Sequence, residues 1–126
     1  MAKEIIHTEQ APAAVGAYSQ AVKAGNTVYL SGQIAIDPET QEIIDGGVEE
    51  QAERVLKNLK AVLAAADCSF KDVVKTEIFL DDINDFAAVN SVYAEYFTEE
   101  QPARACVEVG SLPKGVAVEI SLIAVK

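Results

Sequence analysis

The 126-residue chain has no tryptophan, one methionine, one histidine (His7) and two cysteines (Cys68 and Cys106). Each scarcity removes a class of function. A single histidine near one end leaves a Ser-His-Asp or Cys-His mechanism without a convincing base, and there is no histidine pair for RNA cleavage. The cysteines form no CxxC pattern and no histidines cluster with them, so the sequence holds no metal-ligand spacing. Ten basic residues face twenty acidic ones, a net charge of −10, with no basic run. Nucleic-acid affinity comes mainly from Lys and Arg neutralising phosphates, so no nucleic-acid partner is expected. No stretch reaches the roughly 20 apolar residues that span a bilayer. The opening Met1-Ala2-Lys3-Glu4-Ile5-Ile6-His7 shows no long apolar region or cleavage pattern. The expectation is a cytoplasmic protein with no membrane partner, and that compartment argues against a disulfide.

Half the residues are apolar and about a quarter are charged, which is ordinary for a globular chain. This length fits one domain spanning residues 1–126. Residues 26–36 read as a strand rich in β-formers, with Ala24-Gly25-Asn26 turning back to a short strand at 19–23. Asp37-Pro38-Glu39-Thr40 supplies the turn chemistry that ends it. The spacing of Val48, Ala52, Val55, Leu56, Leu59, Val62, Leu63 and Ala66 predicts a helix over 48–66. A strand over 72–80 follows. Asp82 is placed to cap a second helix over 83–97, whose stripe is Ile83, Phe86, Tyr93 and Phe97, with Asn90 inside it. Strands over 103–109 and 116–125 close the chain, joined by a turn at Leu112-Pro113-Lys114-Gly115. This order predicts an α+β fold with both helices on one face of a sheet.

Alternation along the strands sorts the polar residues. In 116–125, Val116, Val118, Ile120, Leu122 and Ala124 make a wholly apolar face, assigned to the helices. Ala105, Val107 and Val109 are the matching set in the preceding strand. By this pattern Arg104, Cys106, Glu108 and Glu119 project from the uncovered side, among Ile123, Val125 and alternates of Thr27, Tyr29, Ser31 and Gln33. Such a face is too apolar for water and marks an interface, so an oligomer is expected with Arg104 and Glu119 near the seam. The residues alone also fit a simpler picture. Arg104 and Glu119 on adjacent strands can form a cross-strand ion pair. Asn90 can bond to backbone, Tyr18 can cover the core, and Cys106 can act as a small hydrophobe.

Three segments carry a resemblance. Pro12-Ala13-Ala14-Val15-Gly16-Ala17-Tyr18-Ser19-Gln20-Ala21 resembles the N-terminal motif of the Rid (YjgF-type) family, and Ser31-Gly32-Gln33-Ile34 its second motif. Pro102-Ala103-Arg104-Ala105-Cys106-Val107-Glu108-Val109, then Leu112-Pro113 and Val118-Glu119-Ile120, is similar to its C-terminal signature. The arginine points to the RidA subgroup, the 2-iminobutanoate/2-iminopropanoate deaminases. Ala17 departs from the family, which usually has Pro there, and Gly110-Ser111 stands where many relatives carry Ala-Arg.

The resemblance implies a domain like trimeric chorismate mutase, with a mixed six-stranded sheet under two helices. It implies a homotrimer with sites between subunits, and hydrolysis of reactive enamine and imine acids to 2-keto acids and ammonia. Arg104 would grip the substrate carboxylate, and Glu119 would orient water and carry protons. Tyr18, Ser31, Gly32, Asn90 and Cys106 would line the pocket, with Cys106 not a nucleophile. No metal or organic cofactor is implied. A ligand-binding or regulatory module of the same fold (translation inhibitor, ribonuclease-like or chaperone-like) is the alternative.

Overall fold

The structure, a computed structural model, describes residues 2–126. In chain order the strands are β1 (Glu4–Ile6), β2 (Ala21–Ala24), β3 (Thr27–Gln33), β4 (Ile36–Asp37), β5 (Glu42–Ile43), β6 (Val73–Leu80), β7 (Ala103–Glu108) and β8 (Val118–Val125). The helices are α1 (Val48–Ala65) and α2 (Phe86–Tyr96). Six strands form one sheet in the order β1-β2-β3-β8-β6-β7, while β4 and β5 make a separate two-stranded hairpin. All neighbours in the large sheet are antiparallel except β6 and β7, which are parallel.

Helix α1 forms because its apolar positions recur at helical spacing, and they are the positions it buries: Ala52, Val55, Leu56, Leu59, Val62 and Leu63. Its first turn carries Glu49 and Glu50, which favour the positive end of the helix dipole. Glu50 also accepts the Gly47 N–H at 2.8 Å. At the other end Asp67 takes a left-handed φ of 59°. Cys68 N–H then reaches Leu63 O at 2.8 Å and Asp67 N–H reaches Ala64 O at 3.0 Å, the paired bonds that close a helix C-terminus. Asp82 caps as expected, accepting the Asn84 N–H at 2.9 Å, but it caps a single 3₁₀ turn over 83–85 that leads into α2. Ile83 is exposed rather than part of the buried stripe.

The core lies between the helices and one face of the sheet. Val118, Ile120, Leu122 and Ala124 point into it, as their alternation predicts. Burying each of the larger side chains stabilises by roughly 1.5–3 kcal/mol. Among the described residues the opposite face carries no helix. One row across it runs Ile5, Val22, Tyr29, Ile123, Lys75 and Ala103. Tyr29, Val107 and Val125 there are 50%, 46% and 41% exposed.

Two expectations are corrected, and one strand was not anticipated. The strand read over 26–36 ends at Gln33, because a bulge between Leu30 and Gln33 breaks its register with β8 and Gln33 turns into the core. Residues 36–37 then join β5 instead. The strand at Glu4–Ile6 has too few residues to show a period, and its existence depends on pairing with β2. Most consequential, β7 and β8 are not neighbours, since β6 separates them. Parallel strands need a long crossover, usually helical, and α2 supplies it, so β7 returns beside β6.

Candidate functional site

The placement of β7 decides where Arg104 points. Thr76 of β6 is fully buried, and its hydroxyl shares a 2.8 Å hydrogen bond with the Tyr93 hydroxyl of α2. Arg104 is its register partner, and partners in a ladder share a face. Arg104 therefore projects toward α2 and not from the uncovered side. Its Nη1 donates to Asn90 Oδ1 at 2.7 Å, and the guanidinium carbon lies 5.0 Å from the Tyr93 ring centre and 5.3 Å from that of Phe86. Cys106 and Glu108 follow on the same face. Cys106 packs against the core, and Glu108 accepts the Ile83 N–H at 2.9 Å. The assignment of Ala105 and Val107 to the helix side is thus inverted. It took strand 103–109 as the hairpin partner of 116–125, whereas an edge strand beside β6 keeps its apolar alternates on the open face.

Glu119 lies on that open face, where its register partner is Phe79. Arg104 and Glu119 are two strands and three register positions apart, which is about 10 Å across the sheet and about 10 Å along it. They also face opposite ways. A cross-strand ion pair within the chain is therefore absent. Among the described residues the sole ion pair within 4.0 Å is Lys57–Glu53, at 3.9 Å. Arg104 is exposed and lends one N–H to Asn90, leaving the rest of its donor fork free. Two aromatic rings and an amide fix a cation that has no anion.

The surroundings of Glu119 are different. A Cβ at Gly32 would stand 2.4 Å from Glu119 Oε2. A larger residue there would push the carboxylate aside, because Glu119 occupies the side-chain space above Gly32. Burial pushes the Glu119 carboxyl above the ordinary value of 4.5. The cavity beside it measures about 560 Å³. Tyr18, Ser31, Gly32, Gln41, Lys114 and Glu119 are among its walls. Ser31 contributes less directly than expected: its hydroxyl donates to Ser19 O at 2.6 Å and its N–H to Gln20 O at 3.0 Å, so it fastens the loop that carries Tyr18. Tyr18 itself is half exposed.

The sequence-derived residues thus fall into two groups. Tyr18, Ser31, Gly32 and Glu119 meet at the cavity, while Arg104, Asn90 and Cys106 gather on the other side of the sheet. Burial pushes the Cys106 thiol up, partly offset by Arg104, which keeps it in the poorly nucleophilic form. Both cysteines are free. Phe86, Gln20, Gln41 and Lys114 were given no site role by the sequence argument. Lys114 was read as a turn residue, and it does take a left-handed φ of 56°. The glutamines give no periodic signal. Among the described residues no three His, Cys, Asp or Glu side chains converge on a metal position, and no helix is long and apolar enough to cross a membrane.

A mixed six-stranded sheet with two helices on one face is an α+β architecture of the chorismate-mutase-like type. Residues 8–126 match the family described as Endoribonuclease L-PSP, and the chain belongs to that family, the Rid or YjgF-type proteins. It is 55% identical over 126 residues to a RutC family protein of Pyrococcus abyssi, covering 100% of this chain and 99% of the relative. It is 52% identical to the 2-iminobutanoate/2-iminopropanoate deaminase of Rattus norvegicus over 98% of this chain and 90% of that one. The crystal structure of E. coli TdcF with bound serine superposes with a TM-score of 0.93 at 45% identity, over 98% of this chain and 98% of that chain.

Proposed function

We propose that the protein hydrolyses 2-imino acids such as 2-iminopropanoate and 2-iminobutanoate to 2-keto acids and ammonia, in a homotrimer whose sites lie between subunits. One observation carries the proposal. The free guanidinium and the desolvated carboxylate are built on opposite sides of the same sheet, so a second copy is needed to bring Arg104 of one subunit toward the Glu119 cavity of another. The apolar open face supplies the surface for that association.

The chemistry follows from the two groups. A guanidinium fork matches a carboxylate through two parallel hydrogen bonds, so Arg104 fixes the substrate by the group beside its C=N carbon. That carbon is electrophilic once the imine is protonated. Water held by Glu119 adds its oxygen to C2, and Glu119 takes the proton that the water gives up. Glu119 then passes a proton to the amino nitrogen of the carbinolamine. The C–N bond breaks, ammonia leaves, and the C2 hydroxyl becomes the keto oxygen as Glu119 takes its proton and passes it to the ammonia. Tyr18 and Asn90 complete the walls, and Gly32 keeps space for the carboxylate.

The family's description, Endoribonuclease L-PSP, invites a ribonuclease reading. The charge of −10 and the single histidine favour the imine reading over it. The test couples the protein to a threonine dehydratase and follows keto-acid release. Acceleration is expected, and Arg104→Ala should lower kcat/KM by about 10²- to 10³-fold, the loss expected when a charged grip on a carboxylate is removed. Near-normal acceleration by that variant would refute the assignment.

A further inference from the structure

The Glu119 cavity is closed on one side by residues 7–20, a loop with no regular structure, and Tyr18 stands near its end. Beside Tyr18 the loop has one backbone bond of its own, Tyr18 N–H to Gly16 O at 3.0 Å. Gly16 sits at φ 114°, and no proline follows Pro12 before Tyr18. Ser31 fastens its end at Ser19 and Gln20, and two glutamines hold the rest. Gln20 is the inner peg, 2% exposed. Its Nε2 donates to Pro12 O at 2.8 Å and Thr8 O at 3.0 Å, and its Oε1 accepts the Thr8 N–H at 2.7 Å.

Gln41 acts from outside. It sits at the tip of the β4–β5 hairpin, where Nε2 donates to Pro38 O at 2.6 Å and Oε1 accepts the Ala13 N–H at 3.1 Å. The root of that hairpin is bound to α1. Asn58, fully buried, donates to Ile34 O at 3.2 Å and Ile36 O at 2.9 Å, and accepts from Arg54 Nε at 3.1 Å. A line of hydrogen bonds therefore runs from α1 through the hairpin to the loop bearing Tyr18. Gln41 also has a left-handed φ of 61°. Glycine or asparagine suits that backbone better. The Gln41 amide, however, accepts from Ala13 and donates to Pro38 O at once.

We infer that Gln41 is a positioning residue, which acts through Ala13 and the loop to hold Tyr18 in place against the substrate. This rests on reading the cavity as the imino-acid site. Gln41→Gly separates the tether from the turn, because glycine keeps the left-handed backbone and relieves it. The melting temperature should hold or rise. KM should increase about three- to tenfold with kcat within twofold, the scale of one lost hydrogen bond. Amide hydrogen exchange across residues 12–20 should speed up. In a Tyr18→Ala background the same substitution should add nothing to KM, since a residue acting only through Tyr18 cannot act without it. An unchanged KM, or the full KM increase without Tyr18, would overturn the inference. Unaltered exchange across 12–20 would overturn the tether itself, whatever the substrate. Absence of imine hydrolysis by the unsubstituted protein would instead overturn the reading of the cavity, and Tyr18's role with it.

Discussion

The two faces of the sheet follow different rules. The helix-covered face is packed and apolar, and its polar atoms are paired: Thr76 bonds Tyr93, and Asn58 bonds the backbone of Ile34 and Ile36. The open face leaves Tyr29, Val107 and Val125 in solvent and holds Glu119 without an ion-pair partner. The difference teaches that one side of the sheet is finished within the chain, while the other keeps apolar side chains in solvent, the surface that the proposed trimer would cover. Arg104 sits at the boundary, rooted on the covered side at the edge strand but with its guanidinium exposed.

Substitutions on the two faces should therefore fail in different ways. The largest effect is expected on the open face. Glu119→Gln should lower kcat by about 10²- to 10⁴-fold, the usual worth of a positioned acid–base group, while thermal unfolding stays near that of the unsubstituted protein. The pH profile sharpens this. A base must be ionised to take a proton from water, and burial raises the pKa of Glu119. Activity should thus fall on acidification with a midpoint above the ordinary 4.5, and that acid limb should vanish in Glu119→Gln. A limb that persists in the variant would assign the titration elsewhere.

The covered face should respond in stability. Leu59 is fully buried, and Leu59→Ala should cost about 2–5 kcal/mol of unfolding free energy, measured by denaturant titration. If it cost nothing, the helix-facing layer would not be the packed side. A smaller loss is expected from Thr76→Val, about 1–3 kcal/mol, because it strands the Tyr93 hydroxyl in the core. Tyr93 also contacts Arg104, so this variant shows whether packing beneath the arginine reaches its function: a change confined to stability keeps the two faces separate.

Much of the fold was legible in the sequence, and the reasons are local. Helix α1 announces itself by eight apolar positions at one period, and β8 by strict alternation. What stayed hidden was non-local. A two-residue β4 or a three-residue β1 has no period to read. The pairing of β7 with β6 rather than β8 depends on the crossover through α2, and that one choice reversed the face given to Arg104. For the candidate site, the motif residues Tyr18, Ser31, Gly32 and Glu119 do come together, and Asn90 does reach Arg104. Their division between two sides of the sheet was not legible, nor was the part of Gln20 and Gln41, whose hydrogen bonds join segments 8 to 28 residues apart.

Mixing subunits tests the central claim most directly. Arg104→Ala and Glu119→Gln proteins should each be nearly inactive alone. After unfolding and refolding together in equal amounts, random assembly leaves about one boundary in four with both native groups, so about a quarter of the unsubstituted activity should return if each site spans a heterologous boundary. Mixed assemblies that form, by native mass spectrometry, yet stay as inactive as their parents would contradict the account.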